Sequence, residues 1–96
     1  MQFDWDDANR RHIAEHGVTT FEAEYVLLHD PLDLDVQVQE SEVRIVQVGA
    51  TASGRVLRVV TTLRSSLLRV VTAYDAPRRD RMEYERWRRE TYGTKA

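Results

Sequence analysis

With 96 residues, 42% of them hydrophobic and 31% charged, the chain has the composition of one globular domain with a single core, not of a disordered segment. It has no cysteine, no apolar run near the ~20 residues of a membrane helix, and no signal-peptide pattern in Met1-Gln2-Phe3-Asp4-Trp5, so disulfides, thiolate metal sites and membrane insertion are excluded and a cytoplasmic location is expected. The net charge of −2 hides a polarised chain: residues 1–42 carry 11 acidic and 2 basic side chains, and residues 43–96 carry 5 and 12, eleven of the basic ones arginine.

Phe3-Asp4-Trp5 reads as a short opening strand. Asp6 then caps a first helix running to about His16, with Gly17 as its C-cap. Trp5, Asn9, His12, Ile13 and His16 share one stripe of that helix, although three of the five are polar. Thr19-Thr20-Phe21-Glu22 fits a capping box and starts a second helix, which is expected to bury Phe21, Tyr25 and Leu28 and to end before Pro31. Leu32, Leu34, Val36 and Val38 alternate with Asp33, Asp35, Gln37 and Gln39, the pattern of a half-exposed strand with a polar outer face. Three β-branched runs follow, at 43–49, 55–63 and 67–74. The turn signals between them, Ala50-Thr51-Ala52-Ser53-Gly54 and Ser65-Ser66, favour an antiparallel meander. Pro77 suits the start of a last helix reaching about Thr91, docked through Met82 and Trp87 with Tyr84 beside them. The expected fold is α+β. A small antiparallel sheet of about four to five strands carries two N-terminal helices and one C-terminal helix in a single layer. One domain spans residues 1–92, with a loose tail at 93–96.

The meander permits a sharper inference. If Ser65-Ser66 is a two-residue hairpin loop, Thr62 faces Arg69. If the turn around Ala52 pairs Val46 with Arg58, then Arg44, Arg58 and Arg69 project from one side of the sheet. Ile45, Leu57, Val59, Leu63, Leu68 and Val70 then form the floor for the helices, and Tyr74 falls on that floor side. Three cations on one face need an open surface, an anionic ligand, or local carboxylates such as Glu40 or Glu42. RNA fits the arginine face, and a self-complementary dimer is the plainer reading of the same charge pattern.

The run from Trp5 to Val18, with its aromatic-acidic opening and His16-Gly17-Val18 turn, resembles the start of the BrnT family, a branch of the RelE-like toxins. Glu22-Ala23-Glu24 with Asp30-Pro31 is similar to that family's second helix and its exit. Glu42-Val43-Arg44, Gly49 and Gly54-Arg55-Val56-Leu57 resemble its central strand pair, and Arg69-Val70-Val71-Thr72-Ala73 its closing strand. The resemblance runs from Phe3 to about Tyr84. It implies a RelE-like fold, an endoribonuclease that blocks translation by cleaving RNA without a metal or other cofactor, and neutralisation by a cognate antitoxin, typically of the ribbon-helix-helix type. The ribosome and a homodimer within the antitoxin complex are further partners it brings into view. The family pattern has arginine where this chain has Tyr74.

Cleavage through the RNA's own 2′-hydroxyl needs a base, an acid and stabilisation of the phosphorane, the last usually the largest contribution. Arg44 and Arg58 are the first candidates for that stabilisation. Arg69 follows, and Arg55, Arg78 and Arg79 are candidates for RNA phosphate contacts. Glu42 is a general base or the group that orients Arg44, and Tyr74 is a proton donor or a stacking platform. His12 and His16, four apart, read as helix-end packing, with acid–base work as the sharper alternative. Lacking a third ligand, they are assigned no metal. The alternative function is a non-catalytic RNA- or partner-binding module within a toxin–antitoxin repressor complex. The acidic residues Asp33, Asp35, Glu40 and Glu42 near a possible edge strand suit a basic antitoxin arm added as a strand.

Overall fold

Both N-terminal helices begin at reciprocal caps. The Asp6 carboxylate accepts from the Asn9 N–H at 3.1 Å while Asn9 Oδ1 accepts from the Asp6 N–H at 2.8 Å. Thr19 and Glu22 make the same exchange at 3.0 Å in each direction, so each helix start satisfies donors that would otherwise be orphaned. The computed structural model describes residues 1–93. Its elements are α1 (Asp7–Ala14), α2 (Thr20–Leu28), β1 (Leu32–Gln39), β2 (Glu42–Ala50), β3 (Val56–Arg64), β4 (Leu67–Asp75) and α3 (Arg78–Tyr92). Of the expected tail at 93–96, residues 94–96 lie outside the described residues.

The strands form one antiparallel sheet in the order β1-β2-β3-β4. Phe3 adds only an isolated parallel bridge to Leu68. Glu40-Ser41 and Ser65-Ser66 make two-residue hairpin turns. Both residues of each pair have positive φ (50° and 71°, 52° and 69°), the conformation that matches the twist of the flanking strands. Thr62 lies opposite Arg69 as expected. Arg58 pairs with Val48 and not Val46. That two-residue slip preserves side-chain parity, so Arg44, Arg58 and Arg69 still share a face.

Two bulges redirect side chains that simple alternation misplaces. Val60 pairs with Thr72 but Thr61 with Val70, leaving Val71 as the extra residue. Beyond it β4 changes sides, and Tyr74 lies opposite Arg58 on the arginine face, contrary to the expected placement. In β1 the shift between Asp33 and Asp35 does the same at Leu34. Leu32 and Leu34 therefore turn toward α3, whereas Val36 and Val38 lie on the other face and are 61% and 69% exposed.

The expectation of one helical layer is also corrected. Ile13, Val18, Ala23 and Val26 from the α1–α2 layer pack on Leu57, Val59, Val70 and Ala73. α3 lies across the opposite face, where Tyr84 and Trp87 cover Val48, Ala50 and Val56. The reason is that this end of the arginine face is itself apolar and needs a cover. Tyr84 is the buried anchor of α3, whereas Met82 is half exposed. On α2 the buried positions are Ala23 and Val26, and Phe21 and Leu28 stand 67% and 55% exposed. Gly49 allows α2 to sit this close: a Cβ there would lie 2.9 Å from Val26 Cγ1 and 3.3 Å from Pro31 Cβ.

Candidate functional site

Residues opposite one another in an antiparallel sheet share a face, so the register builds the site in rows. One row runs Arg44, Thr62, Arg69 across β2, β3 and β4, its ends roughly 10 Å apart at two strand spacings. Four residues along β3, roughly 13 Å away, a second row runs Val48, Arg58, Tyr74. The three arginines thus lie on one face but form two groups.

The first group opens into a cleft of about 240 Å³ whose lining includes His12, Glu42, Arg44, Thr62, Arg64 and Arg69. Glu42 Oε1 accepts from Arg44 Nη2 at 3.1 Å and from Nε at 3.3 Å, which fixes the plane of the guanidinium. Arg69 is held by the N-cap of α1, with Nη2 donating to Asp6 Oδ1 at 3.2 Å and Nη1 lying 3.0 Å from Asp6 Oδ2 and 3.5 Å from Asp4 Oδ2. The hydrogen bond to Asp6 raises the Arg69 pKa above its ordinary value, and the reciprocal bond from Arg69, with that from the Asn9 N–H, lowers that of Asp6. His12 reaches the cleft from α1, its Nε2 sharing a hydrogen bond with Thr72 Oγ1 at 3.0 Å.

The second group is tied to α3. Arg58 Nη1 donates to Asp80 Oδ2 at 2.7 Å. Burial works against the Arg58 cation, but Asp80 and Tyr74 outweigh it and its pKa is raised. Asp80 also places a carboxylate in the first turn of α3, where the helix dipole favours it. The two groups are joined by His12 of α1 and His16 of the turn after it: the His12 and His16 rings meet edge to face at 5.4 Å, and His16 leans on Tyr74 at 5.6 Å. Among the described residues Arg58 Nε is buried without a hydrogen-bond acceptor, so Asp80 satisfies only part of that guanidinium.

Arg55 lies outside both groups. It donates to Asp75 Oδ1 at 2.7 Å, to the Gly17 carbonyl at 2.8 Å and to the His16 carbonyl at 3.3 Å, and pairs with Glu22 at 3.3 Å, binding the start of β3 to the α1–α2 connection. Arg78 and Arg79 line the outward side of α3 with Arg86 and Arg89. Arg64, Thr62 and Asp80 are site-lining residues the sequence reading passed over. Period-two alternation from Arg58 finds the first two, whereas Asp80 required knowing where α3 lands. Among the described residues no group of three or more His, Asp or Glu is gathered to hold a metal.

The Arg55 clamp has a pH signature. Its hydrogen bond lowers the Asp75 pKa, and Glu22 is lowered by the Thr19 backbone N–H and then by Arg55. A carboxylate with a depressed pKa stabilises the fold fully above its ordinary range, and that contribution is lost as pH falls through the lowered value. Wild-type urea midpoints are therefore expected to fall steeply below about pH 4. The Arg55→Met variant should start lower at neutral pH and fall less. Parallel curves for the two proteins would assign the acid sensitivity elsewhere.

No helix is long and apolar enough to cross a membrane among the described residues. No curated protein sequence matches the chain. The family model described as "Ribonuclease toxin, BrnT, of type II toxin-antitoxin system" matches residues 5–80, a span that contains α1, α2, all four strands and the Arg58–Asp80 pair. The chain accordingly belongs to the BrnT family of ribonuclease toxins, with an antitoxin as the partner that such a system implies.

Proposed function

We propose that this chain is an active, metal-independent endoribonuclease of the cytoplasm that stops translation by cutting RNA and is silenced by its antitoxin. The observation that supports this most is the cleft in which His12 meets Arg44, Arg64 and Arg69, a proton-transfer group beside three cations. In the proposed reaction the 2′-oxygen attacks the adjacent phosphorus, the bond to the 5′-oxygen breaks, and a 2′,3′-cyclic phosphate and a 5′-hydroxyl result. Arg44 and Arg69 hold the phosphorane charge, Glu42 orients Arg44, and His12 takes the 2′-hydroxyl proton and delivers it to the departing 5′-oxygen. Arg58, with Tyr74 and His16 beside it, receives a neighbouring nucleotide by charge and stacking. Arg78 and Arg79 follow the RNA backbone along α3, whereas Arg55 acts on the fold. A ribbon-helix-helix antitoxin, a complex holding two toxin copies, and cleavage on the ribosome complete the proposal.

The test is incubation of a mixed mRNA with purified protein in EDTA, with and without ribosomes. New fragments ending in 2′,3′-cyclic phosphate are expected. Intact RNA in both arms would favour the second reading, a non-catalytic binding module. That reading draws on the pairing of Arg44, Arg58 and Arg69 with Glu42, Asp80 and Asp6, which offsets part of their charge.

A further inference from the structure

The free edge of β1 is the feature this function leaves unused. Among the described residues β1 pairs only with β2, so its other side presents backbone groups outside the ladder, a template for an added strand. Asp35 Oδ1 accepts from the Val36 N–H at 2.8 Å, which shows that this donor points away from β2. Strand alternation then turns the Val38 N–H and carbonyl to the open side as well. Val36 and Val38 are exposed and lie beside the half-open apolar surface of Val43 and Leu63. Asp30 precedes β1, Glu40 lies in the turn after it, and Asp33 and Asp35 project from its opposite faces, Asp33 accepting from Gln47 Nε2 at 2.6 Å; no lysine or arginine occurs between Arg11 and Arg44. A second copy of β1 would bring like charges together, so the complementary occupant is cationic.

We infer that the β1 edge receives an extended segment of the antitoxin, alternating basic and apolar residues, as a fifth strand of the sheet. Its main chain bonds at Val38 and at Val36, where it displaces the Asp35 carboxylate from the N–H; its apolar side chains extend the valine surface, and its cations, on the other face, meet Asp35, with Asp30 and Glu40 at the two ends of the strand. The register adds a consequence. Gln37 pairs with Arg44 and Gln39 with Glu42, so a strand added to β1 lies two strand spacings, about 10 Å, from the residues that line the cleft. Docking there places antitoxin at the rim of the RNA site and accounts for neutralisation by occlusion.

This inference rests on the chain being the toxin of a pair, but not on its being catalytic, and the experiment separates the two. Affinities of the full chain are measured by calorimetry for the antitoxin encoded beside it and for two synthetic peptides, one alternating Lys and Val and one alternating Glu and Val. RNA cleavage without antitoxin is followed in parallel. The antitoxin and the Lys–Val peptide should bind the wild type, and the Glu–Val peptide should not. The double variant Asp33→Lys/Asp35→Lys should weaken both interactions by at least about tenfold. Val38→Pro, which an edge strand tolerates and which removes one outward donor, should weaken them about fivefold. Neither variant should change RNA cleavage. Unchanged antitoxin affinity in both variants would overturn the inference, as would self-association through β1 that Val38→Pro abolishes. Loss of antitoxin binding in variants of a toxin that cuts no RNA would uphold this inference and remove the ribonuclease reading instead.

Discussion

Asn9→Asp is expected to lower the unfolding free energy by about 3 kcal/mol or more, although it exchanges one amide nitrogen for an oxygen. Asn9 is 4% exposed and is satisfied on both sides of its amide. Oδ1 accepts from the Asp6 N–H at 2.8 Å, and Nδ2 donates to the Asp4 carbonyl at 3.0 Å and to the Val70 carbonyl at 3.1 Å. One side chain thus ties the opening segment, the cap of α1 and β4 together. The substitution leaves two carbonyls without their donor, each worth about 1–3 kcal/mol when buried, and sets an anion against them near Asp4 and Asp6. For a domain of this size the melting temperature should fall by roughly 12–24 °C. Burial and the facing carbonyls raise the pKa of the introduced carboxyl, so it is neutral in both states at low pH and penalises folding as pH rises. The gap between variant and wild type should accordingly narrow as pH falls. A gap of under about 1 kcal/mol at neutral pH would show that the opening segment does not depend on Asn9.

Arg44→Ala is expected to reduce RNA cleavage about 10²- to 10³-fold, the usual cost of removing one group that stabilises developing charge. The loss should fall on kcat more than on KM, because the interaction strengthens as negative charge builds on the phosphorane. Stability should change by no more than about 1 kcal/mol, since the pair with Glu42 is 30% and 34% exposed and such pairs contribute little. Arg44→Lys keeps the charge without the planar fork and should recover only part of the rate. Fragment yield under single-turnover conditions, beside a thermal melt of each variant, is the measurement. Equal rates for Arg44→Ala and wild type would place the chemistry elsewhere, first at Arg58 and Tyr74.

What the sequence made legible is what short segments determine by themselves. Asp6 and Thr19 announced their helices because capping is a contact within four residues, and Ser65-Ser66 set its hairpin because a two-residue loop leaves one register. The bulges at Leu34 and Val71 had no such mark. Neither carries glycine or proline, and each turns side chains toward the helix layer they pack on, a long-range outcome that no local pattern announces. They moved Tyr74 onto the arginine face and Val36 and Val38 off the α3 side. The same blindness to long-range packing hid the position of α3, and with it the pairing of Arg58 with Asp80. It also made Phe21 and Leu28 look buried when Ala23 and Val26 fill that interface. The arginine face survived a two-residue error in register because an even slip keeps parity.

Where RNA lies on the protein tests the central claim most directly. A short 2′-O-methyl RNA lacks the attacking hydroxyl and stays intact, so it can be titrated into isotope-labelled toxin and followed by NMR. The account predicts resonance shifts concentrated at His12, Arg44, Thr62, Arg64 and Arg69, weakening toward Arg58 and Tyr74. Shifts confined to the β1 edge or the outward side of α3, with the residues of the cleft unmoved, would contradict it.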